Sequence, residues 1–271
     1  FPPPADIDTV GPVWDAFLNR IMDGDAELIN FLQRAAGSTL SGNTMDKALF
    51  FMYGASGDNG KSTFIETLAA VFGDYGHKTQ AEVFMAQQRN SAGASPERIA
   101  LRGARLVFAS ELSDGQRFNE TFIKDMTGGI DRMSTRDLYS SIIEFKPEFK
   151  LWLYGNHKPI LRGDDNAVWR RINLIPFEIK IPKAEQDLQL GDRLKAESSG
   201  ILNWLIKGCL AWQQRGLNPP KKVIAATDVY REDMDWLGQF IKERCEEGPS
   251  KSVEVSKLYQ SYEAWCESAG I

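Results

Sequence analysis

Apolar residues recur at helical spacing over the first forty positions of this chain. Trp14, Phe17, Leu18, Ile21 and Met22 form one stripe, and Leu28, Ile29, Phe31, Leu32, Ala35 and Ala36 form a second, which Gly37 is read to close as a C-cap. The period then changes. Ala48 to Tyr53 is an unbroken apolar run of strand length, and Gly54 to Gly60 is a loop that opens into a helix over Lys61 to Phe72. Further apolar strands are predicted at Arg105 to Ala109, Lys150 to Tyr154 and Arg171 to Ile179, separated by polar or helical sequence, which points to a three-layer α/β core.

Beyond Pro182 the pattern is helical again. Ile201, Leu202, Trp204, Leu205 and Ile206 mark one helix. After Pro219-Pro220 a second, long helix is predicted through Val223, Val229, Tyr230, Leu237, Phe240 and Ile241, ending at Gly248-Pro249. Val255, Leu258, Tyr259, Tyr262, Trp265 and Cys266 share one face of a last helix, with no partner face in the few residues that follow. The expected organisation is a helical unit over 1–45, an α/β core over 46–182 and a helical region over 183–271. A winged-helix or collar element is a candidate for the residues from Val223 onward.

Composition alters this picture little. The 271 residues suffice for one large or two modest domains, and 42% of them are hydrophobic, enough for a sizeable core. No apolar stretch reaches the roughly 18 residues a spanning helix needs, and Phe1-Pro2-Pro3-Pro4 has no signal-peptide pattern, so the expectation is a cytoplasmic protein without a membrane partner. Cys209, Cys245 and Cys266 are too far apart for a zinc ribbon and odd in number, which reads as buried thiols without a disulfide framework. His77 and His157 lack acidic or Cys companions at metal-ligand spacing. The net charge of -5 leaves nucleic acid open as a partner, because a channel needs only local positive charge.

The chemistry concentrates after the first predicted strand. In Ser56-Gly57-Asp58-Asn59-Gly60 successive backbone N–H groups can turn inward, and the helix that follows adds partial positive charge toward a polyphosphate. Lys61 is assigned to the β- and γ-phosphates, the Ser62 hydroxyl to Mg²⁺, and Thr63 to support of the same shell. The usual phosphate-loop spacing puts its first glycine at position 55, which is Ala55, while Gly54 lies one residue earlier; the loop is either one residue longer or tolerates alanine.

Hydrolysis needs more than a phosphate cradle: a carboxylate to polarise water and a polar group to sense the γ-phosphate. Glu111 ends the strand that begins at Arg105, and Asn156 follows the strand that begins at Lys150. Either alone is an ordinary surface residue or turn residue. Their order after the loop changes that reading.

Taken together, these stretches resemble superfamily-3 helicases, in particular the C-terminal helicase part of phage and plasmid primases, and are similar to the poxvirus primase-helicase. The resemblance covers most of the chain and runs through the lead-in Phe31 to Gly37, the phosphate loop, the strand to Glu111, Lys124 to Gly129, Asp131, Arg136, Tyr154 to Pro159 and Trp169 to Ile172. It implies a P-loop ATPase of modified AAA+ type that uses ATP and Mg²⁺, assembles as a homo-oligomeric ring, a hexamer, and moves along single-stranded or forked DNA. The implied setting is replication of a phage, plasmid or mobile element in a bacterial host cytoplasm, with a covalently linked primase domain before residue 1. Glu111 resembles the Walker B carboxylate, contributing to metal and water, although Ser110 stands where many relatives carry a second acid. Asn156 matches the sensor, and Arg170 or Arg171 matches the arginine finger that reaches a neighbour's site, the other being available to pair with Asp164, Asp165 or Glu178.

The family places a channel hairpin between Glu111 and Asn156. Lys124, Arg132, Arg136 and Lys146 are accordingly the DNA-contact candidates, although acids match the basic residues from Arg117 to Lys150 and a solvated surface reads equally well. Thr127-Gly128-Gly129 is read as a flexible bend. Two other functions use the same loop. A small-molecule kinase would need an acceptor site and lid arginines that the sequence does not show. A nucleotide-gated replication-initiation module would bind ATP and DNA without processive unwinding. Primase chemistry within this chain is not supported, since Asp6, Asp8, Asp23 and Asp25 are isolated pairs.

Overall fold

The computed structural model describes residues 9–86, 96–110, 113–129, 132–136, 142–161 and 166–270, with Arg136 described by its backbone alone. Helices α1 (Pro12–Ile21) and α2 (Ala26–Leu40) lead into β1 (Leu49–Tyr53) and α3 (Lys61–Phe72). There follow β2 (Gly76–Lys78), the single turn α4 (Pro96–Ile99), β3 (Leu106–Ala109), α5 (Glu120–Thr127) and the hairpin strands β4 (Met133–Arg136) and β5 (Ile142–Phe145). The core ends with β6 (Lys150–Gly155), the turn α6 (Asn166–Trp169) and β7 (Ile172–Pro176), before α7 (Leu190–Ala196), α8 (Ser198–Arg215), α9 (Lys221–Met234), α10 (Trp236–Arg244) and α11 (Val255–Ala269).

Five strands make one parallel sheet in the order β2-β3-β6-β1-β7, flanked by helices, which is the three-layer α/β class expected from the apolar runs. Both faces of such a sheet are covered, so its central strands need apolar residues at every position rather than at alternate ones. Leu49, Phe50, Phe51 and Met52 are all fully buried, as are Trp152 and Leu153 opposite them. On one face Trp152 packs on Phe50 with ring centroids 4.4 Å apart, and Trp14 of α1 stacks on Phe64 of α3 at 5.5 Å. Residues of α1, α2, α3, α8 and the sheet thus belong to one hydrophobic cluster.

Gly11, at the start of α1, supplies no side-chain cap. The Glu197 carboxylate does it from 184 residues away, accepting from the backbone N–H of Val13 at 3.0 Å and of Trp14 at 2.9 Å. Burial, and then the negative charge of Glu197, raise the Asp15 carboxyl above its usual range.

Gly37 departs from its reading as a C-cap: α2 runs through it to Leu40. The glycine is there for a helix crossing. A Cβ on Gly37 would lie 2.2 Å from the backbone nitrogen of Cys209, and one on Gly208 would lie 2.0 Å from the carbonyl oxygen of Gln33. Gly208→Ala is expected to destabilise the protein by about 2 kcal/mol or more despite alanine's better helix propensity, because backbone must move. Urea denaturation checks this against Gly191→Ala in α7, where an added Cβ meets nothing within 4 Å and no loss is expected.

The chain divides into two compact units, residues 1–227 and 228–271. The single long helix predicted after Pro220 is instead α9 and α10, broken where the Asp235 side chain accepts from Gly238 N–H at 2.9 Å and caps the second helix. That second helix ends at Arg244, short of Gly248-Pro249. Within the smaller unit Phe240, Tyr262 and Trp265 form an aromatic cluster, whereas Val255 and Tyr259 on α11 are exposed. Cys209, Cys245 and Cys266, expected to be buried thiols, are each only partly buried. Among the described residues no helix is long and apolar enough to cross a membrane.

Candidate functional site

The parallel register pairs Tyr53 with Gly155, so β1 and β6 end side by side and the loop after one meets the residue after the other. Lys61 lies in this corner, buried to 5% exposure. Its ammonium donates to the carbonyl of Gly54 at 3.2 Å, to Asn59 Oδ1 at 2.9 Å and to Asn156 Oδ1 at 3.0 Å. Burial depresses its pKa to about 8.

The loop resolves the glycine spacing. A Cβ on Gly54 would come within 2.2 Å of Asn59 Nδ2 and 2.5 Å of the Phe177 carbonyl, while Ala55 is exposed. Gly54 is therefore a position where the loop requires glycine, whereas Ala55 points to open surface. Gly60 has φ +83° and an added Cβ would meet Ile21 at 2.4 Å, so left-handed backbone and close packing both demand glycine at the start of α3. Asp58 also takes a positive φ of 60°, and its carbonyl accepts from Ile181 N–H at 2.7 Å.

Above Lys61 is a cleft of about 610 Å³ lined by Gly57 to Thr63, Ser110, Tyr154 and Asn156. Glu66, Lys78 and His157 also line it, and sequence reasoning passed over all three as site residues. Lys78 ends a three-residue strand with no apolar run; only its pairing with Phe108 of β3 brings it to the cleft. A second groove of about 690 Å³ shares Asp58, Gly60 and Thr63 with the first. Its walls include Val13, Phe17, Ile181 and Leu190, with Arg20 and Arg193 paired to Glu185 and Asp187 at 2.7 Å each.

The two candidate arginines differ sharply. Arg171 is buried, donating from Nε to Thr127 Oγ1 at 2.9 Å and from Nη1 to the Ala167 carbonyl. Arg170 is exposed. Glu178, one of the acids available to the second arginine, pairs with Lys222 at 3.0 Å instead. Glu111 lies outside the described residues, as do Asp131, Asp164 and Asp165; Ser110 is the last described residue before Glu111.

Of the DNA candidates, Arg132 and Lys146 flank the paired residues Met133 and Phe145, so they are neighbours at one end of the β4–β5 hairpin, and both are exposed. Arg136 stands at the other end of β4, its side chain outside the described part, and Lys124 is half-buried on α5. Thr127, read as part of a flexible bend, ends a helix and receives the Arg171 guanidinium.

Comparison with known proteins bears out the resemblance. A family model described as a family of unknown function, DUF5906, matches residues 52–171. The chain is 29% identical over 273 residues to Putative helicase L207/L206 of Acanthamoeba polyphaga mimivirus, covering 94% of this chain and 28% of that protein. It is 28% identical to Putative helicase 022R of Frog virus 3, over 95% of this chain and 28% of the relative. Putative primase C962R of African swine fever virus is 22% identical over 82% of this chain and 25% of its own length. The chain thus spans just over a quarter of the viral helicase-named relatives. The apo structure of the NrS-1 C terminal region shares the fold, with a TM-score of 0.59 at 14% identity, covering 96% of this chain and 65% of that one.

Proposed function

We propose that this relative of viral helicase- and primase-named proteins is an ATP-hydrolysing DNA motor, its ATP held in the cleft over Lys61. The observation that carries the reading is the meeting of Lys61 and Asn156, 95 residues apart, at the mouth of a glycine loop and a helix N-terminus. Backbone N–H groups of Gly57 to Gly60 cradle the phosphates, and Lys61 bridges the β- and γ-phosphates. Asn156 senses the γ-phosphate, and Glu111 polarises the attacking water. Ser62 lines the same cleft, so its hydroxyl suits the Mg²⁺ that accompanies ATP and neutralises charge on the phosphoryl group. The adjoining apolar groove takes the nucleoside.

Arg170 is the finger in this reading, reaching a neighbouring subunit's phosphates in a hexameric ring. Its exposure supports the assignment, as does the internal use of Arg171. In this reading residues 46–182 form the motor core, preceded in sequence by the segment 1–45 and followed by the region 183–271. Arg132 and Lys146 at the hairpin base, with Lys124 and Arg136, contact single-stranded DNA. A covalently linked primase domain in the whole protein fits the name of the African swine fever virus relative, of which this chain spans a quarter.

The test is multiple-turnover hydrolysis with and without single-stranded DNA, together with strand separation on a fork. We expect DNA-stimulated turnover and ATP-dependent unwinding, both lost in Glu111→Gln. Replacing Arg132 and Lys146 together is expected to weaken single-strand binding and flatten its log–log salt slope by about 1.4, at roughly 0.7 per phosphate contact. ATP binding without turnover would leave only a nucleotide-gated binding module.

A further inference from the structure

Asn59 is 3% exposed, and both ends of its amide are used. Nδ2 donates to the carbonyl of Ser56 at 2.8 Å and to that of Phe177 at 3.3 Å, while Oδ1 accepts from Lys61 Nζ at 2.9 Å. The amide therefore ties three places together: the phosphate loop, the residue just past β7, and the ammonium two residues on. It also accounts for the displaced glycine, because the face of Gly54 where a side chain would project is occupied by this amide, only 2.2 Å from an added Cβ.

We infer that Asn59 is a positioning residue for Lys61, a role distinct from the backbone phosphate contacts of the loop that carries it; the inference rests on the nucleotide-binding reading above. A lysine has several rotatable bonds, and fixing its head group before the ligand arrives removes an entropic cost from binding. An ammonium has three N–H donors. Here they go to Gly54, Asn59 and Asn156, and the Asn59 acceptor belongs to an amide whose Nδ2 is anchored by two main-chain carbonyls. Phosphate oxygens can replace the Gly54 and Asn156 acceptors while Asn59 keeps the ammonium aimed into the cleft.

The experiment is a double-mutant cycle on ATP affinity, using a fluorescent ATP analogue titrated into the whole chain as wild type, Asn59→Ala, Lys61→Met and the double variant. Asn59→Ala is expected to weaken binding about tenfold or more in the wild-type background, the scale of one hydrogen bond to a charged group. With Lys61→Met already present, the same substitution should cost less than about twofold. Equal losses in both backgrounds would assign Asn59 to loop structure alone and overturn the inference, as would wild-type affinity in Asn59→Ala. Failure of the wild type to bind the analogue would overturn the nucleotide-binding reading itself. Circular-dichroism melts establish that each variant is folded, and Asn59→Ser is read by the same criteria should the alanine variant not fold.

Discussion

Lys61→Ala is expected to weaken ATP binding by about 10² to 10⁴ and to abolish measurable turnover. The lower figure corresponds to losing two charge-assisted hydrogen bonds at about 1.5 kcal/mol each, the upper to losing two at about 3. Equilibrium titration and steady-state hydrolysis both report it, and retention of near wild-type affinity would remove Lys61 from the phosphate site. A pH signature belongs to the same residue. Burial holds the free Lys61 ammonium at a pKa of about 8, well below its ordinary value of 10.5. ATP requires the charged form, so affinity should be flat below pH 8 and fall above it, by up to about tenfold per pH unit, with the loss absent in Lys61→Ala. Stability of the nucleotide-free protein moves in the opposite direction. Between about pH 8 and 10.5 the unfolded chain holds more protons on this lysine than the folded one, so the lysine's contribution to stability rises with pH across that window. Thermal melts with and without ATP across pH 7 to 10 would show the two curves converging, as the nucleotide-free protein gains stability from this lysine and the increment from ATP shrinks.

Arg170→Ala is expected to lower kcat by about 10³ to 10⁵ with little change in ATP affinity, the range that supplied arginine fingers contribute. Arg171→Ala should instead lower stability, because it leaves the buried Thr127 hydroxyl and the Ala167 carbonyl without their guanidinium partner. Mixing supplies the sharper measurement. In the proposed ring, Lys61→Ala and Arg170→Ala subunits are each expected to be inactive alone, whereas a mixed ring would contain interfaces with an intact loop on one side and an intact finger on the other. Partial recovery of hydrolysis on mixing is expected. Its absence, together with full activity of Arg170→Ala alone, would sink the shared-site reading.

Much of the core was legible along the chain because it is built from local signals. Leu49 to Met52 needs only its own apolarity to be read as a strand buried on both faces, and the loop and helix after it announce themselves by glycine and by periodicity. The misreadings share a cause: Gly37 has the spacing of a C-cap, but its neighbour in space is Cys209 on a helix 172 positions later. The break at Asp235 was local chemistry that the continuing apolar stripe concealed. Lys78 and Glu66 carried no signal, since each becomes part of the cleft only through pairing or packing.

Residue order and short-range spacing by themselves determined the strand, glycine loop and helix, the α/β class, and the succession of a polar residue after the Lys150 strand and an arginine pair beyond it. These depend on periodicity within a dozen residues. Tertiary structure decided which groups share a site. Insertion of β6 between β3 and β1 brings Asn156 onto Lys61, Gly54 rather than Ala55 receives the Asn59 amide, and burial commits Arg171 to Thr127 while leaving Arg170 exposed. Such choices depend on contacts between segments tens to more than a hundred residues apart, and no local pattern encodes which of two adjacent arginines a distant hydroxyl will receive.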